Sequence, residues 1–233
     1  MAARRHTLDN GLNVLVESSR HAPVAAVQVW IDAGAADETR AQAGLAHLHE
    51  HMLFKGTRRF GVGQVAREIE ASGGEINAWT SFDQTVYHTV SAIDELATSL
   101  DILSDVVSQP LFDPDELSRE IEVIIEEIRR AEDSPARRLS RGLFETAFRQ
   151  HPYRFPVLGN MDSVRSFKRD DVTEFFSQFY RPQNATVVVV GDREERELLD
   201  EVERYFGGWR GAGASPRPER TVEPPQNELR IVP

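Results

Sequence analysis

The sequence predicts an α+β fold, a mixed and mostly antiparallel sheet of about six strands with helices packed largely on one face. Two patterns carry that expectation. Short apolar segments with strand character recur between turn signals, five before residue 93 and one at 185–190. Between and after them, apolar residues repeat at the helical period over stretches of nine to twenty residues. With 233 residues, of which 40% are apolar, the chain is long enough to bury one substantial core.

The first element is a hairpin. Thr7-Leu8 leads into the Asn10-Gly11 turn signal, and Leu12 to Val16 then alternates apolar and polar residues. Val24 to Ile31 gives a third strand. Helices follow over about Ala43 to Phe54 and Val62 to Ser72, each needing a sheet to cover its apolar side. Gly73-Gly74 breaks the pattern before strands at Glu75 to Trp79 and Thr85 to Ala92. From Ile93 the spacing of Leu96, Leu100, Leu103 and Val107 marks a helix that stops at Pro110. Asp113 is an N-cap, Pro114 suits the first helical position, and Glu116 stands where a reciprocal capping residue belongs, so a helix runs to about Glu132. Further helices cover Pro135 to Arg149, Asp171 to Phe179 and Glu194 to Phe206, with loops at His151-Pro152-Tyr153 and Gly159-Asn160. Ala185 to Val190 is a strand. After Gly207 the composition shifts to Gly, Ala, Pro and charged residues, then to Leu229-Arg230-Ile231-Val232. Residues 1–209 are therefore expected to form one domain, and 210–233 a linker feeding the first strand of another.

Composition removes several functions. With 27 basic against 38 acidic residues the net charge is −11, which leaves no basic face for nucleic acid. No apolar run is long enough for a membrane span, and Met1-Ala-Ala-Arg-Arg lacks the apolar segment of a secretory signal. Compartment is not assigned; cytoplasm and, in a bacterium, periplasm both fit. Zero cysteines exclude disulfides, thiolate metal sites and a cysteine nucleophile, leaving His, Asp and Glu as candidate metal ligands.

Those residues converge on one motif. His47-Leu48-His49-Glu50-His51 sets two imidazoles four residues apart on a predicted helix, about 40° apart around its axis, so both can reach one ion. Glu50 projects to one side of them, where a carboxylate can take a proton from a water at the ion's open position. A third ligand must be a carboxylate or another histidine. On the helix begun by Asp113, Glu120 and Glu127 lie seven apart and within about 20° of each other, at the edge of the stripe formed by Leu117, Ile121, Ile124, Ile125 and Ile128. Carboxylates on an apolar strip are costly to bury unless a cation or hydrogen bonds receive them. The alternative is a hydrogen-bonded histidine pair beside a solvated acidic face. His49 faces the other side of its helix among Leu45, Met52 and Leu53 and is expected to be packed, with His88 and His151 also structural.

At these residues the chain resembles the pitrilysin-type zinc peptidases (peptidase family M16), which include insulin-degrading enzyme and mitochondrial processing peptidase. The similarity runs from about Thr7 to Trp209. It rests on Gly44 through Thr57, on Gly74-Glu75-Ile76-Asn77-Ala78-Trp79-Thr80-Ser81, on Glu120 through Ile128 and on His151-Pro152-Tyr153. The resemblance implies that His47, His51 and Glu127 bind one Zn2+, that Glu50 is the catalytic base, and that Glu120 supports the site. It further implies that Asn77, Ala78, Trp79 and Thr80 belong to an edge strand on which an extended peptide or unfolded polypeptide docks by β-augmentation. The implied activity is that of a zinc metalloendopeptidase. The implied partner is a second homologous half or subunit that closes the cleft, and without it the isolated chain is expected to be weakly active or inactive. A non-catalytic subunit of the same fold is the alternative, but such a subunit would be expected to have lost Glu50 or a histidine. S-ribosylhomocysteinase, with a similar motif, relies on cysteine, and this chain has none.

Overall fold

Alternation of apolar and polar residues builds a six-stranded sheet in the computed structural model, which describes residues 3–211 and 222–224. The strands are β1 (Arg4–Thr7), β2 (Asn13–Ser18), β3 (Val24–Ile31), β4 (Glu75–Thr80), β5 (Thr85–Ala92) and β6 (Ala185–Gly191), in the spatial order β1-β2-β6-β3-β5-β4. Only the β2–β6 pairing is parallel; the other four are antiparallel. The sheet is thus mixed and mostly antiparallel, as expected. β6 arrives late in the chain yet inserts between β2 and β3, pairing Val187 with both Val14 and Val29.

Because side chains alternate across a strand, this register puts Val14, Val27, Val29, Tyr87, Val187 and Val189 on one face, all fully buried. Each aliphatic side chain buried there contributes about 1.5–3 kcal/mol. The eight α-helices among the described residues are α1 (Leu45–Met52), α2 (Gln64–Ala71), α3 (Leu96–Ser108), α4 (Pro114–Asp133), α5 (Pro135–Ala147), α6 (Met161–Ser166), α7 (Arg169–Phe179) and α8 (Glu195–Phe206). α1 and α2 pack on β4, α3 on β3 and β5, and α8 on β2 and β6. The opposite face carries Leu15, Trp30, Trp79 and Val188, with Trp30 edge-on to Trp79 at 5.7 Å between ring centroids.

Sequence and structure differ at several places. The first strand lies at Arg4–Thr7, because Leu8 already belongs to the turn, where its amide and carbonyl bond Leu12 and Gly11. Glu116 does not reach back to cap α4. Asp113 accepts from the amides of Asp115 and Glu116 at 2.9 and 3.2 Å, while the Glu116 carboxylate binds Arg119. α6 has no counterpart among the elements expected from the sequence; at six residues it is too short to show a helical period, and Asn160 caps it through the amides of Asp162 and Ser163. The strand expected at Leu229 to Val232 and most of the 210–233 linker lie outside the described residues.

α1 is locked from two sides. At its start Gly44 has φ +99°, and a Cβ there would sit 2.8 Å from the Leu158 carbonyl oxygen. Gly159 fits equally tightly, since a Cβ would meet the Ala43 oxygen at 2.2 Å. Ser163 of α6 donates to the same Ala43 carbonyl at 2.7 Å. On its far side His49, fully buried as expected, places its ring nitrogens 2.8 Å from the carbonyl oxygens of Leu45 and of Val172 on α7. Phe112, Phe175 and Tyr180 surround the ring. Burial pushes its pKa down to about 4 against two carbonyls that favour the imidazolium. The folded value lies below the unfolded one, so the contribution of His49 to stability is complete above pH about 6.5 and is lost as pH falls toward 4. Replacing His49 by Gln should cost about 2 kcal/mol at pH 7 in urea unfolding of the metal-free protein, and the variant should lose less stability than wild type between those two pH values. Parallel pH profiles would contradict this account.

Candidate metal centre

The contact between α1 and α4 brings the two halves of the sequence motif together. His47 and His51 stand one helical turn apart with ring centroids 4.7 Å apart. Nε2 of His47 lies 3.7 Å, and Nε2 of His51 3.8 Å, from one oxygen of Glu127. Hydrogen bonds would close to about 2.7–3.2 Å, whereas two ligands on one tetrahedral zinc stand about 3.3–3.5 Å apart, given bonds near 2.0–2.1 Å. Among the described residues these three offer donor atoms within 4.8 Å of one another and could hold a metal ion. Two imidazole nitrogens and a carboxylate oxygen, with no thiolate in the chain, fit zinc and leave a fourth position open. The alternative of a histidine pair beside a solvated acidic face does not describe the structure: Glu120 is buried and the imidazoles do not bond one another.

Neighbours set these rings differently. His51 donates from Nδ1 to Glu120 at 3.0 Å, which leaves Nε2 directed at Glu127. Burial disfavours the protonated ring of His51, but the Glu120 hydrogen bond and the carboxylates of Glu127, Glu120 and Glu50 outweigh it and raise the pKa. His47 has no such support: its Nδ1 is buried without a hydrogen-bond partner among the described residues, and burial plus the nearby His51 lower its pKa to about 3. Glu120 also binds Lys55 at 2.8 Å, and His51 and Lys55 together overcome its burial and hold the carboxyl below its ordinary value.

Glu50 lies beside the imidazoles. Its carboxylate accepts from the Thr80 hydroxyl at 2.6 Å, and burial, the largest influence, pushes its pKa up against that bond. The four residues expected to contact substrate divide by face. β4 pairs only with β5, so it is an edge strand. Thr80 turns its side chain to Glu50, and Ala78 packs toward the core. Asn77 is exposed and bonds the amide of Ala78, while Trp79 lies on the far face against Trp30 and His88. His88 and His151 stand apart from the metal centre, His151 capping the turn at Tyr153.

Sequence reasoning missed two supporting groups. Glu38 accepts from the amides of Gly44 and Ala46 at 2.9 and 2.6 Å, so a buried carboxylate caps the start of α1 from outside the usual capping position. Burial raises its pKa to about 8 in spite of those amides. No periodicity signals such a cap from a distance. Lys55 could have been found, since it lies only four residues after His51, just past the end of α1.

Comparison with known proteins bears on this geometry. A family profile described as "Insulinase (Peptidase family M16)" matches residues 13–160, and one described as "Peptidase M16 inactive domain" matches 166–232. This chain belongs to peptidase family M16. It is 32% identical over 211 residues to the uncharacterized zinc protease YmxG of Bacillus subtilis, covering 90% of this chain and 51% of that one. It is 34% identical over 200 residues to a probable mitochondrial-processing peptidase subunit beta of Arabidopsis thaliana, covering 86% of this chain and 38% of the relative. The crystal structure of a protease from Helicobacter pylori matches with a TM-score of 0.91 at 29% identity, over 95% of this chain and 54% of that chain. The M16 chain described here thus spans about half the length of its relatives. No helix among the described residues is long and apolar enough to cross a membrane.

Three donors from two helices should bind one zinc per chain in a titration of the metal-free protein. Glu127→Gln should weaken that binding by at least about tenfold. Glu126→Gln should not, because Glu126 is exposed and pairs with Arg129. The reverse result would move the ligand by one residue.

Proposed function

We propose that this chain is the metal-binding half of a zinc endopeptidase acting on extended peptides or unfolded polypeptides, with His47, His51 and Glu127 as ligands and Glu50 as general base. The observation that carries this reading is the convergence of both Nε2 atoms on one Glu127 oxygen, beside a carboxylate that belongs to none of the three ligands. Zinc held there supplies a Lewis acid that polarises the peptide carbonyl and lowers the pKa of water.

The remaining work falls to the chain. Glu50 takes the proton of the attacking water and returns it to the leaving amine, and its raised pKa brings it closer to the neutral range where both transfers are efficient. Thr80 fixes the carboxylate through its hydroxyl and its backbone. Because Thr80 ends β4, substrate paired along that edge would pass beside Glu50. The backbone of Asn77 to Thr80 supplies the ladder, and the alternating side chains meet the peptide on either face. Glu120, with Lys55 behind it, keeps the Nδ1 proton of His51 in place, which aims Nε2 at the metal. Residues 1–209 serve as the zinc-binding domain in this reading, and 210–233 connect to a second homologous half that supplies the other wall of the cleft.

Glu50→Gln should retain zinc and lower kcat by about a hundredfold to ten-thousandfold on an unstructured peptide; retention of full activity would refute the assignment of the base. The isolated chain should turn over poorly. Adding the downstream half of the same gene product, or a partner subunit, should restore zinc-dependent cleavage by at least about a hundredfold, as expected when oxyanion donors are supplied. Robust turnover by the isolated monomer would overturn the two-part reading.

A further inference from the structure

The last turn of α4, α5 and the loop after it enclose a cavity of about 320 Å³ that the roles above do not use. Its floor is apolar and largely aromatic, including Phe82, Ile128, Phe144 and Tyr153. It borders the metal centre. Ala131 in its wall follows Glu127 by one turn on the same face of α4, about 6 Å along the axis, and Phe82 follows Thr80 by two residues. A side chain of a peptide laid along β4 toward Glu50 would therefore come within reach of it.

The charge of the walls is opposite to that of the molecule. In a chain of net charge −11, α5 carries Arg137, Arg138 and Arg141 against one carboxylate, Glu145, and all three arginines line the cavity together with Arg154. Local partners neutralise this only in part. Arg141 approaches Glu132 and Glu145 at 3.8 and 3.7 Å. Asp83 accepts the Tyr153 hydroxyl at 2.5 Å. Arg154 donates to the Arg149 carbonyl and lies over the Phe155 ring. Arg137 and Arg138 have no carboxylate within salt-bridge distance among the described residues.

We infer that this cavity is a specificity subsite that selects a glutamate side chain of the substrate. The inference rests on the peptidase reading and adds a substrate preference to it. The aromatic floor covers the methylene groups and the guanidinium forks receive the carboxylate, a pairing that arginine geometry favours. A lysine in the same place would meet several like charges, so discrimination comes from repulsion as well as attraction.

The test uses the zinc-loaded full-length protein and end-blocked peptides in which Glu, Gln, Leu and Lys are walked through the positions flanking the scissile bond. At one position Glu should exceed Lys by at least about tenfold in kcat/KM, with Gln between them. The double variant Arg137→Glu, Arg138→Glu should reverse that ratio, and Arg196→Glu, exposed on α8, should leave it unchanged. Ratios within about twofold at every position, or a preference that survives the reversal, would overturn the inference. A preference seen only with free C-termini would also overturn it, since the cavity would then be taking a main-chain carboxylate. If wild type cleaves none of the peptides, the peptidase reading fails separately. Selectivity is then read by fluorescence anisotropy of Glu and Lys peptides on zinc-loaded Glu50→Gln, where equal affinities would refute the subsite.

Discussion

The structure depends on compensating the burial of α1. Eight residues carry three imidazoles and a carboxylate into the protein, where each polar group costs free energy unless it finds a partner. The partners come from all over the chain: Glu38 at the helix start, Val172 behind His49, Glu120 beside His51, and Thr80 on Glu50. Losing any of them leaves a buried group unsatisfied, which is more costly than the same bond is worth at the surface.

That arrangement also separates the chemistry of neighbouring side chains. His47 and His51 share a helix face, yet burial drives one pKa down while surrounding carboxylates drive the other up. His51 sits between two carboxylates, one facing each ring nitrogen, and Lys55 pairs with the buried one, Glu120. An ion at the Nε2 atoms would replace electrostatic work that Glu127 alone does incompletely across 3.7 and 3.8 Å. Of the buried side-chain polar atoms on α1, Nδ1 of His47 is the one left without a hydrogen-bond partner among the described residues.

The sheet places these groups without contributing a ligand. β4 is an edge because β5 pairs it on one side only, and its last residue is the one that holds Glu50. The late return of β6 to the sheet's middle binds the hairpin at the start of the chain to β3. Residues matched by both family profiles therefore share one sheet.

Most element types, the sheet of six strands and the pairing of an imidazole motif with a two-carboxylate helix are legible in the amino-acid order, because periods of two and 3.6 and the i, i+4 spacing are local properties; the six-residue α6 is too short to show one. It could not choose between Glu120 and Glu127 from helix geometry, since both lie on nearly the same face; resemblance made that choice. That Glu120 lies against Nδ1 of His51 and Glu127 across from both Nε2 atoms is a matter of packing, because it depends on how far α4 slides along α1. The same holds for Glu38, whose cap on α1 arrives through a turn with no periodic signature, and for Thr80, whose hydroxyl serves Glu50. The arginine-walled cavity was equally invisible, since it forms only where α5 and the loop after it fold back against the end of α4, bringing together residues from Phe82 to Gly159.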